Sequence, residues 1–350
     1  MNDLQTLFTE IRLRIVQARK IALITHQSPD GDAMGSALAM KHWIRALDST
    51  KEVAVVLPTE TPDFLQWLPG ADACIVYESN RIEAETALRE ADVVVCTDFN
   101  EPSRVGAAAD ALLNAPAQKI LIDHHLHPSD FAQVVLSCPE VPATCQLVYQ
   151  IVSQQGGTMT EELATCVYTG LMTDTGNFSY NSRNADLYRA VATLIEAGID
   201  KDAIYNRVFN QYSVDRIRLV GYSLWRKMQV FPAHHTALIA LSRKELYKFN
   251  FQSGDAEGIV NMPLQSRDIF YSCFMREDKA TPEEQAAHGG CKTKVKISFR
   301  SQGDRPVNVF AKEIFNGGGH MNASGGEFYG SIEEAVQQFI ASYTRYFQTE

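Results

Sequence analysis

The chain has 350 residues, 45% hydrophobic and 21% charged, which is enough for two domains with their own cores and excludes a disordered or low-complexity polymer. Its formal net charge of -10 argues against a broad electrostatic footprint on duplex DNA. A phosphate-bearing partner is therefore expected to be small or single-stranded, held by a local cluster of metals, Arg and His.

The first twenty residues alternate charged and apolar side chains at helical spacing, unlike a signal peptide. No stretch reaches the ~20 apolar residues that a membrane span needs. Seven cysteines without a C-x-x-C pair fit reduced core residues of a cytoplasmic protein. Ile21-Ala-Leu-Ile24 is a short apolar run that fits a buried parallel strand, and Pro29 with Gly31 forces a turn before a helical pattern over Ala33–Leu47. That turn holds His26, Asp30 and Asp32. Carboxylates two residues apart repel unless something positive lies between them, and hard or borderline divalent cations accept such a His/Asp mixture. The competing reading is an Asx-type turn in which Asp32 caps the helix and His26 is a loop residue.

Further unalternating apolar runs follow at Val53–Leu57, Ala73–Val76, Asp92–Thr97 and Lys119–Ile122, separated by helical or loop segments. That rhythm predicts an α/β domain with a parallel sheet covered on both faces. Asp98 ends the fourth run and Asp123-His124-His125 ends the fifth. Ligands of open α/β sheets bind at the carboxyl ends of strands, so these motifs are expected to share a crevice with the His26 turn. A helix over Thr160–Met172 stops at Thr173-Asp174-Thr-Gly-Asn-Phe178, and another over Ala185–Ala197 closes at Gly198. Residues 201–231 read as a helical connector. Beyond Pro232 the pattern turns to strands at Thr236–Leu241, Ile269–Met275, Val295–Phe299 and Glu327–Tyr329, with helices at Val309–Phe315 and Ile332–Phe347. This predicts a smaller α+β domain over 232–350, with Glu277–Cys291 as an exposed hairpin loop or insertion.

His26, Asp30, Asp32, Asp98, Asp123, His124, His125 and Asp174 together offer enough carboxylates and imidazoles for two divalent ions with bridging aspartates. Such a pair clamps the attacking and leaving oxygens of a phosphoryl displacement and activates water near neutral pH. This ordered set, together with Gly317-Gly318-Gly319-His320, resembles the DHH phosphoesterase superfamily with its DHHA-type C-terminal domain. In size and layout the chain is similar to the NrnA-like group of oligoribonucleases that also dephosphorylate 3'-phosphoadenosine 5'-phosphate. The resemblance implies a DHH domain over 1–200 and an active site in the cleft between the domains. It implies one Mn2+ held by His26, Asp30, Asp98 and Asp174 and a second held by Asp32, Asp98, His124 and Asp174, with Co2+ or Mg2+ as substitutes. His125 would face the substrate phosphate and Asp123 would orient the imidazoles.

The resemblance also implies that Gly318, Gly319 and His320 line the nucleotide site with Arg300, Arg267 being a weaker candidate. Residues without Cβ let main-chain N–H groups surround a phosphate. The implied partner is short RNA or a small nucleotide, without duplex DNA or membrane; a homodimer is compatible with these features. Asn177 and the 277–291 segment depart from the family pattern where substrate preference could be set. Alternative substrates for the same metal half are cyclic or linear dinucleotides and polyphosphate. The rival of a different kind is a nucleotide sensor that has lost catalysis, which would be expected to lack a ligand.

Overall fold

A computed structural model describes residues 2–252 and 254–347. Its contacts divide the chain into two units, one ending at Gln211 and one beginning at Tyr212.

The first unit runs α1 (Asn2–Gln17), β1 (Lys20–Ile24), α2 (Gly31–Leu47), β2 (Glu52–Leu57), β3 (Cys74–Val76), α3 (Arg81–Glu90), β4 (Val93–Thr97), α4 (Ala109–Asn114), β5 (Gln118–Asp123), β6 (Val134–Ser137), α5 (Thr144–Gln154), α6 (Glu161–Asp174), α7 (Ala185–Glu196) and α8 (Lys201–Phe209). The strands form one sheet in the order β3-β2-β1-β4-β5-β6, and every pairing is parallel. The apolar runs do not alternate because both faces are covered. Ile21, Leu23, Val55, Val95 and Ile122 face one core, built with α1, α2, α5, α6 and α7. Ala22, Ile24, Val56, Val94, Cys96 and Leu121 face the other, built with α3 and α4. Each fully buried Val, Leu or Ile contributes about 1.5–3 kcal/mol. The sheet therefore makes a rigid support for whatever its strand ends carry.

In this unit the sequence reading misplaced the start of α2 and missed a strand. α2 begins at Gly31, not Ala33, because the Asp30 carboxylate accepts the N–H groups of Asp32 and Ala33. Asp30, not Asp32, is thus the cap. β6 was not anticipated, its Val134-Val-Leu136 core being too short to stand out from the loop around it.

The second unit contains α9 (Val214–Tyr222), β7 (Gln229–Phe231), β8 (Thr236–Leu241), α10 (Arg243–Lys248), β9 (Tyr271–Lys279), α11 (Pro282–Ala287), β10 (Thr293–Ser301), α12 (Asn308–Phe315), β11 (Gly318–His320), β12 (Ala323–Tyr329) and α13 (Ile332–Ser342). Its sheet order is β11-β12-β10-β9-β8-β7, antiparallel except for the parallel β8–β9 pair. Val295, Ile297 and Phe299 alternate into an aromatic-rich core with α12 and α13. β9 and β10 pair as a hairpin whose connection holds α11, capped by Thr281 and Glu284. All seven cysteines carry free thiols, with Cys96, Cys145, Cys166 and Cys273 buried. Among the described residues no helix is long and apolar enough to cross a membrane.

Candidate metal centre

The strand order reverses direction between β1 and β4: the chain leaves β1 toward β2 and leaves β4 toward β5. A crevice opens at the carboxyl ends of two such strands. His26, Asp30 and Asp32 follow β1, and Asp98 directly follows β4. Asp98 is left-handed, at φ 66, and its N–H donates to the Ile122 carbonyl of β5 at 3.0 Å. A non-glycine residue held there stores on the order of 1 kcal/mol or more of strain, a cost found where backbone serves a site.

Helix termini complete the arrangement. Asp32, with no exposed surface, accepts the backbone N–H groups of Thr144 at 2.6 Å and Cys145 at 2.8 Å, in the first turn of α5. Thr144 Oγ1 donates to Asp98 Oδ1 at 3.0 Å. The N-terminus of α5 therefore holds Asp32 by its unpaired N–H groups and its dipole, and Asp98 by the Thr144 hydroxyl. Asp174, the last residue of α6, is brought in by close helix packing. A Cβ on Gly170 of α6 would lie 2.8 Å from Asp32 Oδ1 and overlap Cys145 Sγ, and a Cβ on Gly35 of α2 would lie 2.5 Å from the Cys166 carbonyl.

The side chains gather in overlapping sets: His26, Asp30 and Asp98; Asp32, His124 and Asp174; Asp98, Asp123 and His125. His26 Nε2 lies 3.8 Å from Asp30 Oδ2 and 3.5 Å from Asp98 Oδ2. His124 Nε2 lies 3.8 Å from Asp32 Oδ2, 3.5 Å from Asp98 Oδ1 and 3.3 Å from Asp174 Oδ2. Asp98 thus turns one oxygen to each imidazole.

The donors fit divalent cations. His26 Nδ1 lies 2.9 Å from the Gln27 carbonyl and His124 Nδ1 lies 3.3 Å from the Val141 carbonyl. A carbonyl only accepts, so Nδ1 donates there and Nε2 is the ring nitrogen turned to the carboxylate oxygens, the atom a cation would take as ligand. Those separations exceed the ~2.7–2.9 Å of a charge-assisted hydrogen bond. Carboxylates gathered this closely repel until positive charge lies between them, and a set of carboxylates and imidazoles without thiolate suits Mn2+-type ions better than a structural zinc.

Charge crowding shows in the acid–base properties. Burial, then the neighbouring Asp32, Asp30 and Asp123 carboxylates, pushes the Asp98 carboxyl well above its usual range. Burial likewise raises Asp32, with Asp30 adding to the effect and His124 opposing it. The Asp30 side chain is half-exposed; its partial desolvation is outweighed by His26, the Ala33 and Asp32 N–H groups and His125, and its carboxyl is lowered. His125 Nδ1 meets Asp123 Oδ1 at 2.7 Å. Asp123 is fully buried and its Oδ2 has no hydrogen-bond partner.

Residues 20–171 match the N-terminal domain of the DHH family, the span containing β1 to β6 and most of this cluster. An exopolyphosphatase-related protein from Bacteroides fragilis has a solved structure that superposes with a TM-score of 0.88 at 42% identity, covering 98% of this chain and 96% of that one. The chain belongs to the DHH family. It is a phosphohydrolase, and enzymes of the DHH family are metal-dependent. A bifunctional oligoribonuclease and PAP phosphatase, NrnA, of Thermus thermophilus is 28% identical, covering 91% of this chain and 88% of that protein. The cyclic-di-AMP phosphodiesterase PdeA of Listeria monocytogenes is 22% identical over 96% of this chain and 49% of its own length.

Of the residues read from sequence, the DHH half brings together His26, Asp30, Asp32, Asp98, Asp123, His124, His125 and Asp174. In the second unit, Arg300 pairs with Ala323 and Ala323 pairs with His320. Directly paired residues share a sheet face, so Arg300 and His320 stand in one row opposite the aromatic core. Arg267 is 95% exposed, 3.8 Å from Asp268, in the turn before β9. Gly318 to His320 form edge strand β11. Cβ atoms on Gly317 or Gly319 would strike β12 backbone, so those two glycines permit strand packing, whereas nothing lies within 4 Å of Gly318. Missed from sequence were Thr144, Cys145 and the Val141 carbonyl; the signal was Pro142 just before a helix start, where capping N–H groups gather.

Proposed function

We propose that this DHH chain is a Mn2+-dependent phosphohydrolase that cleaves short oligoribonucleotides and removes a terminal phosphate from 3'-phosphoadenosine 5'-phosphate. The observation that carries it is Asp98 presenting one oxygen to His26 and the other to His124, the disposition of a bridging carboxylate. When bound, two divalent cations supply Lewis acidity and an activated water. His26, Asp30, Asp98 and Asp174 would hold one, and Asp32, Asp98, His124 and Asp174 the other. Co2+ or Mg2+ suits the same donors.

The remaining residues bind and orient. Asp123 fixes His125 with Nδ1 protonated and Nε2 directed to the substrate phosphate, a positioning role supported by the 2.7 Å contact. In the second unit Arg300, Gly318, Gly319 and His320 would hold the nucleotide, with Arg267 in a lesser role. The metal half then corresponds to residues 1–200, the connector to 201–231 and the nucleotide-holding half to 232–350. Seven free thiols suit work in the cytoplasm. The name of the Thermus relative supports this substrate class. The Listeria relative favours a second reading, a cyclic dinucleotide phosphodiesterase using the same site.

The test is a panel of di- to pentaribonucleotides, cyclic dinucleotides, 3'-phosphoadenosine 5'-phosphate and polyphosphate, assayed with Mn2+ and with EDTA. Mn2+-dependent release of mononucleotide or phosphate from the first and third groups is expected. Turnover of polyphosphate alone, or nucleotide binding without turnover, overturns it.

A further inference from the structure

The loop that follows Asp174 is built around one outward aromatic. Gly176, Asn177, Phe178 and Asn181 are all left-handed, at φ 53, 55, 62 and 49, a conformation that non-glycine residues adopt at a cost. The loop is tied to the end of α6 throughout. Thr175 Oγ1 donates to the Leu171 carbonyl at 2.6 Å and accepts the Phe178 N–H at 2.9 Å. The N–H groups of Ser179 and Tyr180 both reach the Thr175 carbonyl, that of Asn177 reaches Met172 at 2.7 Å, and Ser182 Oγ donates to Phe178 at 2.9 Å.

The loop carries two aromatic rings, Phe178 and Tyr180. Phe178 turns inward, its centroid 5.9 Å from Tyr168 and 6.1 Å from Tyr188. Tyr180 stays 49% exposed, its ring lying on Gly176, where any Cβ would overlap it. Gly176 is two residues from Asp174. Core packing accounts for Phe178, while Tyr180 keeps half its surface open on a hydrogen-bonded loop that directly follows Asp174 of the metal cluster.

We propose that Tyr180 is the stacking platform for a nucleobase of the substrate, and so a specificity residue of the centre described above. The inference rests on the proposed function, because only a substrate that carries a base has a ring to stack. Base–aromatic stacking needs a π-face and tolerates any base. Preorganisation by the hydrogen-bonded loop spares the substrate the cost of ordering that face. A platform here favours nucleotides over polyphosphate, which shares the phosphate chemistry and lacks a base.

The experiment compares the full chain with Tyr180→Ala, Tyr180→Phe and Tyr180→Trp on a diribonucleotide and on a base-free phosphodiester, both with Mn2+. Binding of a non-hydrolysable dinucleotide carrying 2-aminopurine, whose fluorescence is quenched on stacking, gives a readout independent of turnover. Tyr180→Ala is expected to raise the dinucleotide KM about tenfold or more, to change kcat less, to cost the base-free ester much less, and to abolish the quench. Phe and Trp keep the platform and should preserve both signals. An equal effect on the two substrates, or a quench that survives in Tyr180→Ala, overturns the assignment. If the unaltered chain turns over the base-free ester and never the dinucleotide, the proposed function itself is refuted and this assignment with it.

Discussion

Asp98 stands 3.5 Å from His26 Nε2 through Oδ2 and 3.5 Å from His124 Nε2 through Oδ1. Facing both imidazoles, Asp98 serves both halves of the centre, so its loss should disable them together. Asp98→Asn is expected to lower kcat with a diribonucleotide by more than the roughly 10–100-fold typical of outer-shell changes. Stability should move the other way. A carboxyl raised by burial favours folding below its unfolded pKa, and that benefit is lost as pH rises through the folded value. At neutral pH the metal-free Asp98→Asn protein should therefore melt no lower than the parent, with the order reversed in Mn2+. Thermal melts with EDTA and with Mn2+ check both signs.

Asp123→Asn tests positioning apart from metal holding. The amide keeps the shape but no longer presents an anion to His125 Nδ1, so the favoured tautomer is lost. A fall in kcat of about 10–100-fold with metal content retained is expected. Loss of metal along with activity would instead place Asp123 among the ligands.

Glycines separate close packing from ligand approach. Gly170→Ala drives a methyl against Cys145 and Asp32 and should cost about 1–3 kcal/mol of stability together with activity. Gly221→Ala, near the end of α9 with nothing within 4 Å, should stabilise by roughly 0.5–1 kcal/mol. Gly318→Ala should leave the melting temperature in place and raise the KM for nucleotides; Gly317→Ala should destabilise, because its Cβ would enter the Gly325 carbonyl.

Acid stability of the second unit should depend on Glu245. Burial opposes its ionisation, yet the Tyr222 hydroxyl at 2.6 Å, the Ser242 N–H and hydroxyl, and Lys227 at 2.9 Å outweigh it, taking the carboxyl from 4.5 to about 2. A depressed carboxylate stabilises fully above its unfolded pKa, and the benefit is lost as pH falls through its folded value. Denaturation against pH should show this loss between about 4.5 and about 2, and Glu245→Gln should flatten that limb while lowering stability at neutral pH.

The parallel sheet and the strand-end clustering were legible in the chain because buried strands advertise themselves as unbroken apolar runs, and a parallel sheet aligns their carboxyl ends. Asp98 and Asp123 could be placed from that rule. Thr144 and Cys145 were not placed: their contacts with Asp32 span more than a hundred residues and use main-chain N–H groups, to which Pro142 before the helix start points only indirectly. Part of the glycine motif was illegible for a related reason. Gly317 and Gly319 answer to β12 backbone, a neighbour known only once strands are paired.

The central claim is two cations sharing Asp98, and metal stoichiometry tests it most directly. The EDTA-stripped chain, titrated with Mn2+ under calorimetry and checked by elemental analysis, should take up two ions per chain. Asp98→Asn should take up one or none. A parent chain that binds no ion, or an Asp98→Asn variant that still binds two with parental affinity, contradicts the account.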